Sequence, residues 1–136
     1  MSEILLIEDN PGDIVLTKEA FKECGRNHNI TALKDGEEAL KYLRNDNDVI
    51  NYIHPDIILL DLNLPKRDGR EILSKIRSDY KFKDIPVIIL STSQNEEDVF
   101  TAYRLKANCY ISKPIDLSHF FNIIESIDRF WLKTVT

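Results

Sequence analysis

The stretch Asp56-Ile57-Ile58-Leu59-Leu60-Asp61-Leu62-Asn63 decides the fold class. A short, continuously apolar run reads as a strand buried on both faces, which is the pattern of a central strand in a parallel sheet. This one stops abruptly at a carboxylate. A second such run, Val87-Ile88-Ile89-Leu90, stops at Ser91-Thr92-Ser93. Working outward, short apolar runs alternate with helical patterns five times, and strands are expected at residues 3–7, 29–33, 56–60, 85–90 and 108–112. That alternation is the signature of βαβ units. The expected class is therefore α/β, doubly wound, with helices on both faces of a five-stranded parallel sheet.

Helix starts are marked by a capping residue followed three positions on by an acid: Asn10 and Asp13, Asp35 and Glu38, Asp68 and Glu71, Asn95 and Asp98. Pro11 suits a first helical position and Gly25 the position just past a helix end. A last helix is expected to begin at Asp116, with Leu117, Phe121, Ile124 and Trp131 as its core stripe. Phe120, Ile123, Ile127 and Phe130 run beside that stripe, more apolar width than packing on one side requires. The surplus points to a homodimer or partner contact, unless the C-terminal residues 132–136 fold back over it. A polar loop is expected at 45–51.

The bulk composition fits this picture. The chain has 136 residues, enough for one domain with a real core, and 43% hydrophobic with 30% charged residues is ordinary globular material. Its apolar runs are too short to span a bilayer, and no signal peptide is visible, so a cytoplasmic location is expected. A net charge of −5 without a Lys/Arg stripe argues against direct nucleic-acid binding. Cys24 and Cys109 are isolated, without metal or redox spacing, and are expected to be small core fillers.

In an open α/β sheet the ligand site lies outside the carboxyl ends of the strands. Those ends read Glu8-Asp9, Asp61-Leu62-Asn63, Ser91-Thr92-Ser93 and Lys113-Pro114. Any single acid there could be no more than a helix cap. Three converging carboxylates repel one another, however, so either one has a raised pKa or a cation sits among them. With only oxygen ligands and no His or Cys nearby, Mg²⁺ is the expected ion. Asp61, held at the sheet edge, is the candidate nucleophile towards phosphorus, forming an acyl phosphate. The charge on the phosphoryl oxygens would then fall to Mg²⁺, to Lys113, and to Ser91 with a backbone N–H. A cis Lys113–Pro114 bond would aim the ammonium inward.

Glu8-Asp9, Asp61 with Asn63, Ser91 and Lys113-Pro114 together resemble the CheY-like response-regulator receiver domains of two-component signalling, over essentially the whole chain. The resemblance implies the flavodoxin-like (βα)5 sandwich, with Asp61 as phospho-acceptor and Glu8 and Asp9 as Mg²⁺-site acids. It also implies that Asn63 offers a backbone carbonyl to the metal, that Ser91 is the switch hydroxyl and Lys113 the phosphate-binding lysine. Tyr110 would be the switch aromatic. Asn63 and Ser93 would flank the path of the hydrolytic water.

The stretches at residues 60–65 and 68–71, Asn108-Cys109-Tyr110 and Phe130-Trp131-Leu132 are similar to the small regulators paired with bacterial phytochrome histidine kinases. A sensor histidine kinase and a downstream protein target are the implied partners. One departure is Lys106 and Asn108-Cys109, where a glycine-containing segment is usual, so Asn108 is expected to take the left-handed cap of helix four.

A single receiver domain with no effector domain would signal through helix four, strand five and helix five, the surface that would also carry the dimer. Its own chemistry would be limited to self-phosphorylation and slow autodephosphorylation. Three rivals remain. A haloacid-dehalogenase-like phosphatase needs an acid two residues after its nucleophile, where this chain has Asn63, and a longer chain. A pseudo-receiver that only binds partners would have a damaged pocket. A flavodoxin-like cofactor binder would need a phosphate-cradling run after strand one.

Overall fold

The structure, a computed structural model, describes residues 2–44, 54–93, 95–113 and 116–132. The expected polar loop at 45–51, the Lys113–Pro114 bond and the terminal residues 133–136 lie outside the described residues. Five parallel strands form one sheet: β1 (Ser2–Ile7), β2 (His28–Leu33), β3 (Ile57–Leu60), β4 (Val87–Ser91) and β5 (Cys109–Ser112). Between and after them run α1 (Pro11–Glu23), α2 (Gly36–Arg44), α3 (Gly69–Ser78), α4 (Glu96–Arg104) and α5 (Leu117–Ile127), followed by a π-helical turn at Asp128–Leu132. Among the described residues no helix is long and apolar enough to cross a membrane.

The apolar runs are continuous because both faces of the sheet are covered. Ile4 and Leu6, Ile57 and Leu59, and Ile88 and Leu90 pack against Ile14 and Phe21 of α1 and Phe120 and Ile124 of α5. Their neighbours Leu5, Ile7, Ile58, Leu60, Val87 and Ile89 pack on the opposite face against α2, α3 and Ala102 of α4. Residues one apart along a strand serve different cores. A register slip of one position would exchange the two sets of side chains.

The strand order is β2-β1-β3-β4-β5. With β2 on one side of β1 and β3 on the other, the winding reverses at β1, and the crevice opens at the carboxyl ends of β1 and β3. The sheet's hydrogen bonds continue into that crevice. Glu8 N donates to Leu33 O at 2.9 Å, Asp61 N to Ile7 O at 3.0 Å and Lys113 N to Ser91 O at 2.5 Å.

Helix starts and the first helix end fall where the sequence places them. Asn10, Asp68, Asn95 and Asp116 are N-caps of α1, α3, α4 and α5, and Asp35 Oδ1 accepts from Glu38 N ahead of α2. Pro11 opens α1, and Gly25, with φ of +75°, follows its end.

Three expectations are corrected. The left-handed residue at the exit of α4 is Lys106, with φ of +72°, and not Asn108. The Asn108 carboxamide is used elsewhere, accepting from Val87 N at 2.8 Å and from Arg77 Nη2 at 2.6 Å, while Arg77 Nε holds the Lys106 carbonyl at 2.9 Å. A guanidinium clamp thus supports a conformation usually left to glycine.

On α5 the expected core stripe holds only at Ile124, which Phe120 and Ile127 of the flanking set join. Phe120, Ile124, Ile127 and Leu132 are buried, Phe121, Ile123 and Trp131 are half-buried, and Leu117 is exposed along with Phe130. Leu117 lies in the first turn, beyond the edge of the sheet's cover, and the π-helical turn rotates Leu132 inward. The cysteines are likewise half-buried rather than core residues. Each packs on the rim of the α1/α5 core.

Candidate functional site

Each strand of the crevice delivers its side chain from a rigid end. Glu8 and Asp61 are 3% and 6% exposed, Ser91 is fully buried, and Asp9 is exposed to solvent. Gly69 holds the Asp61 loop against α3. Its N–H donates to Leu62 O at 3.0 Å, and a Cβ there would lie 2.6 Å from the Asp61 carbonyl oxygen, so no side chain fits without moving the backbone behind Asp61.

Glu8, Asp9 and Asp61 each place a carboxylate oxygen within 4.8 Å of the other two. Among the described residues, one ammonium faces this group. Lys113 Nζ lies 2.5 Å from Glu8 Oε1, 2.9 Å from Asp13 Oδ2 and 3.7 Å from Asp61 Oδ2. Asp61 Oδ1 accepts from the Asn63 N–H at 2.9 Å. Burial pushes the Glu8 carboxyl up to about 7, the charge of Asp61 adds to this, and the hydrogen bond and charge of Lys113 hold it back. The raised carboxyl foreseen from crowding is present, although burial rather than repulsion is its main cause. Burial pulls the Lys113 ammonium down, but its bonds to Glu8 and Asp13, with the charges of Glu8 and Asp61, outweigh that and raise it above the ordinary lysine value.

The donor set suits a hard divalent cation. All three acids offer oxygen, and one lysine is too little charge to neutralise them. The cation would neutralise Glu8 and Asp61 and leave the Lys113 ammonium with Asp13 until a further anion arrives.

On the far side of Asp61, Asn63 Nδ2 donates to Ser91 Oγ and Thr92 Oγ1, both at 3.2 Å. Ser91 Oγ also accepts from Ser93 N at 3.2 Å. Ser93 Oγ donates to Asp98 Oδ2 at 2.6 Å, and Asp98 is paired with Arg70 of α3. Tyr110 lies outside the carboxylate crevice but touches the same loop, its hydroxyl donating to the Ser93 carbonyl at 2.8 Å. Glu8, Asp9, Asp61, Asn63, Ser91 and Lys113 are thus brought together, and Tyr110 is joined to them through the β4–α4 loop. Sequence reasoning missed Asp13. It was read only as an acid in the first turn of α1, and its place five residues after Glu8 was the one available signal.

A family model for the response regulator receiver domain matches residues 4–125. The chain belongs to the response regulator receiver family. Response regulator Rcp1 of Synechocystis sp. is 44% identical over 133 residues, covering 98% of this receiver and 90% of Rcp1. Two solved structures share the fold along the whole chain. The phosphorylated cyanobacterial phytochrome response regulator RcpA is 48% identical with a TM-score of 0.88, covering 99% of this receiver and 96% of that chain. The Mn²⁺-bound form of Rcp1 is 43% identical with a TM-score of 0.90, covering 100% and 98%. Receivers are, as a class, signalling proteins rather than enzymes, and they bind a divalent metal.

Proposed function

We propose that this receiver accepts a phosphoryl group on Asp61 from a phosphohistidine of a sensor histidine kinase. A carboxylate oxygen of Asp61 attacks phosphorus, the phosphorus–nitrogen bond breaks, and the imidazole leaves with a proton from solvent. An acyl phosphate remains on Asp61. Bound Mg²⁺, held by Glu8, Asp9, Asp61 and the backbone carbonyl of Asn63, would supply neutralisation of carboxylate and phosphoryl charge. Lys113 then pairs with one phosphoryl oxygen, and the Ser91 hydroxyl turns from Asn63 to donate to another. The bonds from Ser91 through Ser93 to the Tyr110 hydroxyl give that movement a route to the surface.

The observation that carries this reading is the approach of Lys113 Nζ to within 3.7 Å of an Asp61 oxygen that shares a three-carboxylate cluster. Asn63 argues for a switch over a turning-over phosphatase. Its amide cannot protonate a leaving group, and it is engaged with two hydroxyls. Incubation with Mg²⁺ and acetyl phosphate should add one phosphate to the intact mass, followed by slow autodephosphorylation. No gain, or a gain that survives Asp61→Asn, would sink this reading.

A relative named as a cyanobacterial phytochrome response regulator supports a phytochrome kinase as the donor. The relatives span nearly their whole length with this chain, which supports a single-domain regulator. Its output is then made by its own surface of α4, β5 and α5, towards a downstream protein or a second copy. Phe100, Tyr103, Leu117 and Phe130 are exposed on the helices of that surface and just beyond them. A mass that rises with concentration and reverts to monomer in Phe130→Asp is expected; a monomer at high concentration refutes the dimer.

A further inference from the structure

Lys113 has an anionic partner that neither the metal cluster nor the acceptor accounts for. An ammonium carries three protons. Two are committed, to Glu8 Oε1 at 2.5 Å and to Asp13 Oδ2 at 2.9 Å. The 3.7 Å to Asp61 Oδ2 is roughly 1 Å beyond the ~2.8 Å of a charge-assisted hydrogen bond. Asp13 reaches the lysine from the first turn of α1, where Asn10 caps its backbone N–H at 3.1 Å and Thr17 Oγ1 donates to its carbonyl at 2.7 Å. Its carboxylate is one-third exposed and stands outside the cluster of Glu8, Asp9 and Asp61. A cation that takes Glu8 leaves Asp13 as the anion Lys113 still holds.

We propose that Asp13 is a positioning residue that keeps Lys113 in a resting place, back from Asp61, and competes with the arriving phosphoryl group for its ammonium. The proposal rests on Asp61 being the acceptor. To reach a phosphoryl oxygen, Lys113 closes the last gap towards Asp61 and gives up Asp13. Whatever the bond to Asp13 contributes to the resting site is subtracted from the stability of the phosphorylated one, because only the difference between the two states shifts their balance. Asp13 also adds a negative charge beside a group that brings about two more. Both effects act in the same direction. A role as a favourable acid at a helix N-terminus would leave phosphoryl binding unchanged.

The test uses beryllofluoride with Mg²⁺, a tetrahedral stand-in for the phosphoryl group, titrated into the full chain and followed by fluorine NMR. Asp13→Asn should bind it about fivefold more tightly, the ratio expected from one partly exposed charge-assisted hydrogen bond. Its affinity for Mg²⁺ alone should be unchanged or weaker, and its melting temperature should not rise. Asp13→Glu, which restores the charge, should return towards wild type. A merely structural role would lower stability and anion binding together, so tighter binding without a gain in stability is the distinguishing result. Asp13→Ser, which keeps a polar residue in the first turn, should show the same gain if Asp13→Asn folds poorly. Wild-type binding with no gain in either variant overturns this proposal alone. Weaker binding in both would mean that Asp13 readies Lys113 for the phosphoryl group, and also overturns it. Absence of binding in wild type and variants alike overturns the acceptor reading and this proposal with it.

Discussion

Among the described residues, two clusters of charge with buried members stand at opposite ends of the sheet, and they are built differently. At the amino end, Asp128 Oδ1 lies 2.9 Å from Nε2 of His28, the first residue of β2, and 3.5 Å from Arg26 Nη1. Burial lowers the His28 pKa, and the ring sits edge-on to Phe21 with centroids 5.2 Å apart. With His28 neutral, the Asp128 carboxylate still has the Arg26 guanidinium beside it. At the carboxyl end, Lys113 faces Glu8, Asp13 and Asp61, and Asp9 adds a further carboxylate beside Glu8 and Asp61. The first cluster is balanced and ties the π-helical turn to the α1–β2 region. The second has an excess of carboxylates, which a proton on Glu8 or a bound cation can offset. Imbalance, more than burial of charge, distinguishes the functional end.

The largest effects should come from removing the single cation of the unbalanced end. Lys113→Ala should slow phosphorylation by acetyl phosphate at least a hundredfold, since it deletes the ammonium that stands 3.7 Å from the proposed acceptor Asp61. It should also cost about 3 kcal/mol in urea denaturation of the metal-free protein, where Glu8 and Asp13 lose their partner. Saturating Mg²⁺ should recover most of that. The matching change at the other end is Asp128→Ala, which takes the carboxylate from beside Arg26 and His28 and should cost about 2 kcal/mol, less than a fully buried pair because Arg26 is partly exposed. Here Mg²⁺ should restore nothing beyond what it adds to wild type. If both variants are rescued equally, or neither is, the contrast between the clusters is wrong.

The same contrast explains what the sequence made legible. β3 and β4 could be read because strands covered on both faces leave unbroken apolar runs, and the site followed because register places the next residue, Asp61 or Ser91, at the crevice. The helix caps could be read because capping is local. The acids three residues after the caps marked the helix starts for the same reason, but two of them also act at a distance. Glu38 accepts from Lys34 N at 2.6 Å and Glu71 from Arg67 Nη1 at 3.3 Å, both within four residues. Asp98 turns to Ser93 and Arg70, and Asp13 to a lysine 100 residues away. Local spacing already explained these acids, so it held no trace of their distant partners. Lys106 is the converse case. Its left-handed backbone goes against its residue type and depends on Arg77, a clamp that only the folded chain assembles.

The smallest effect is the most specific, because the two ends answer pH with opposite sign. Glu8 is raised from 4.5 to about 7 in the fold, so the native state binds a proton that the unfolded chain has released. Its contribution to metal-free stability therefore falls as pH rises through that window. His28 is lowered from 6.5, so below that value the unfolded chain binds a proton the native state refuses, and its contribution rises with pH. Just below pH 6.5 the two oppose each other, and the metal-free curve should be shallower there than Glu8 alone would make it. A divalent cation must displace the Glu8 proton to bind, so its affinity should climb by up to about tenfold per pH unit and level off near 7. Stability measured against pH with and without Mg²⁺ separates the terms, since the difference between the curves reports the metal site while His28 cancels. A difference that does not change between pH 5 and 7 would mean that Glu8 stays ionised beside Lys113, and that the acid excess at the carboxyl end is fully charged before any cation arrives.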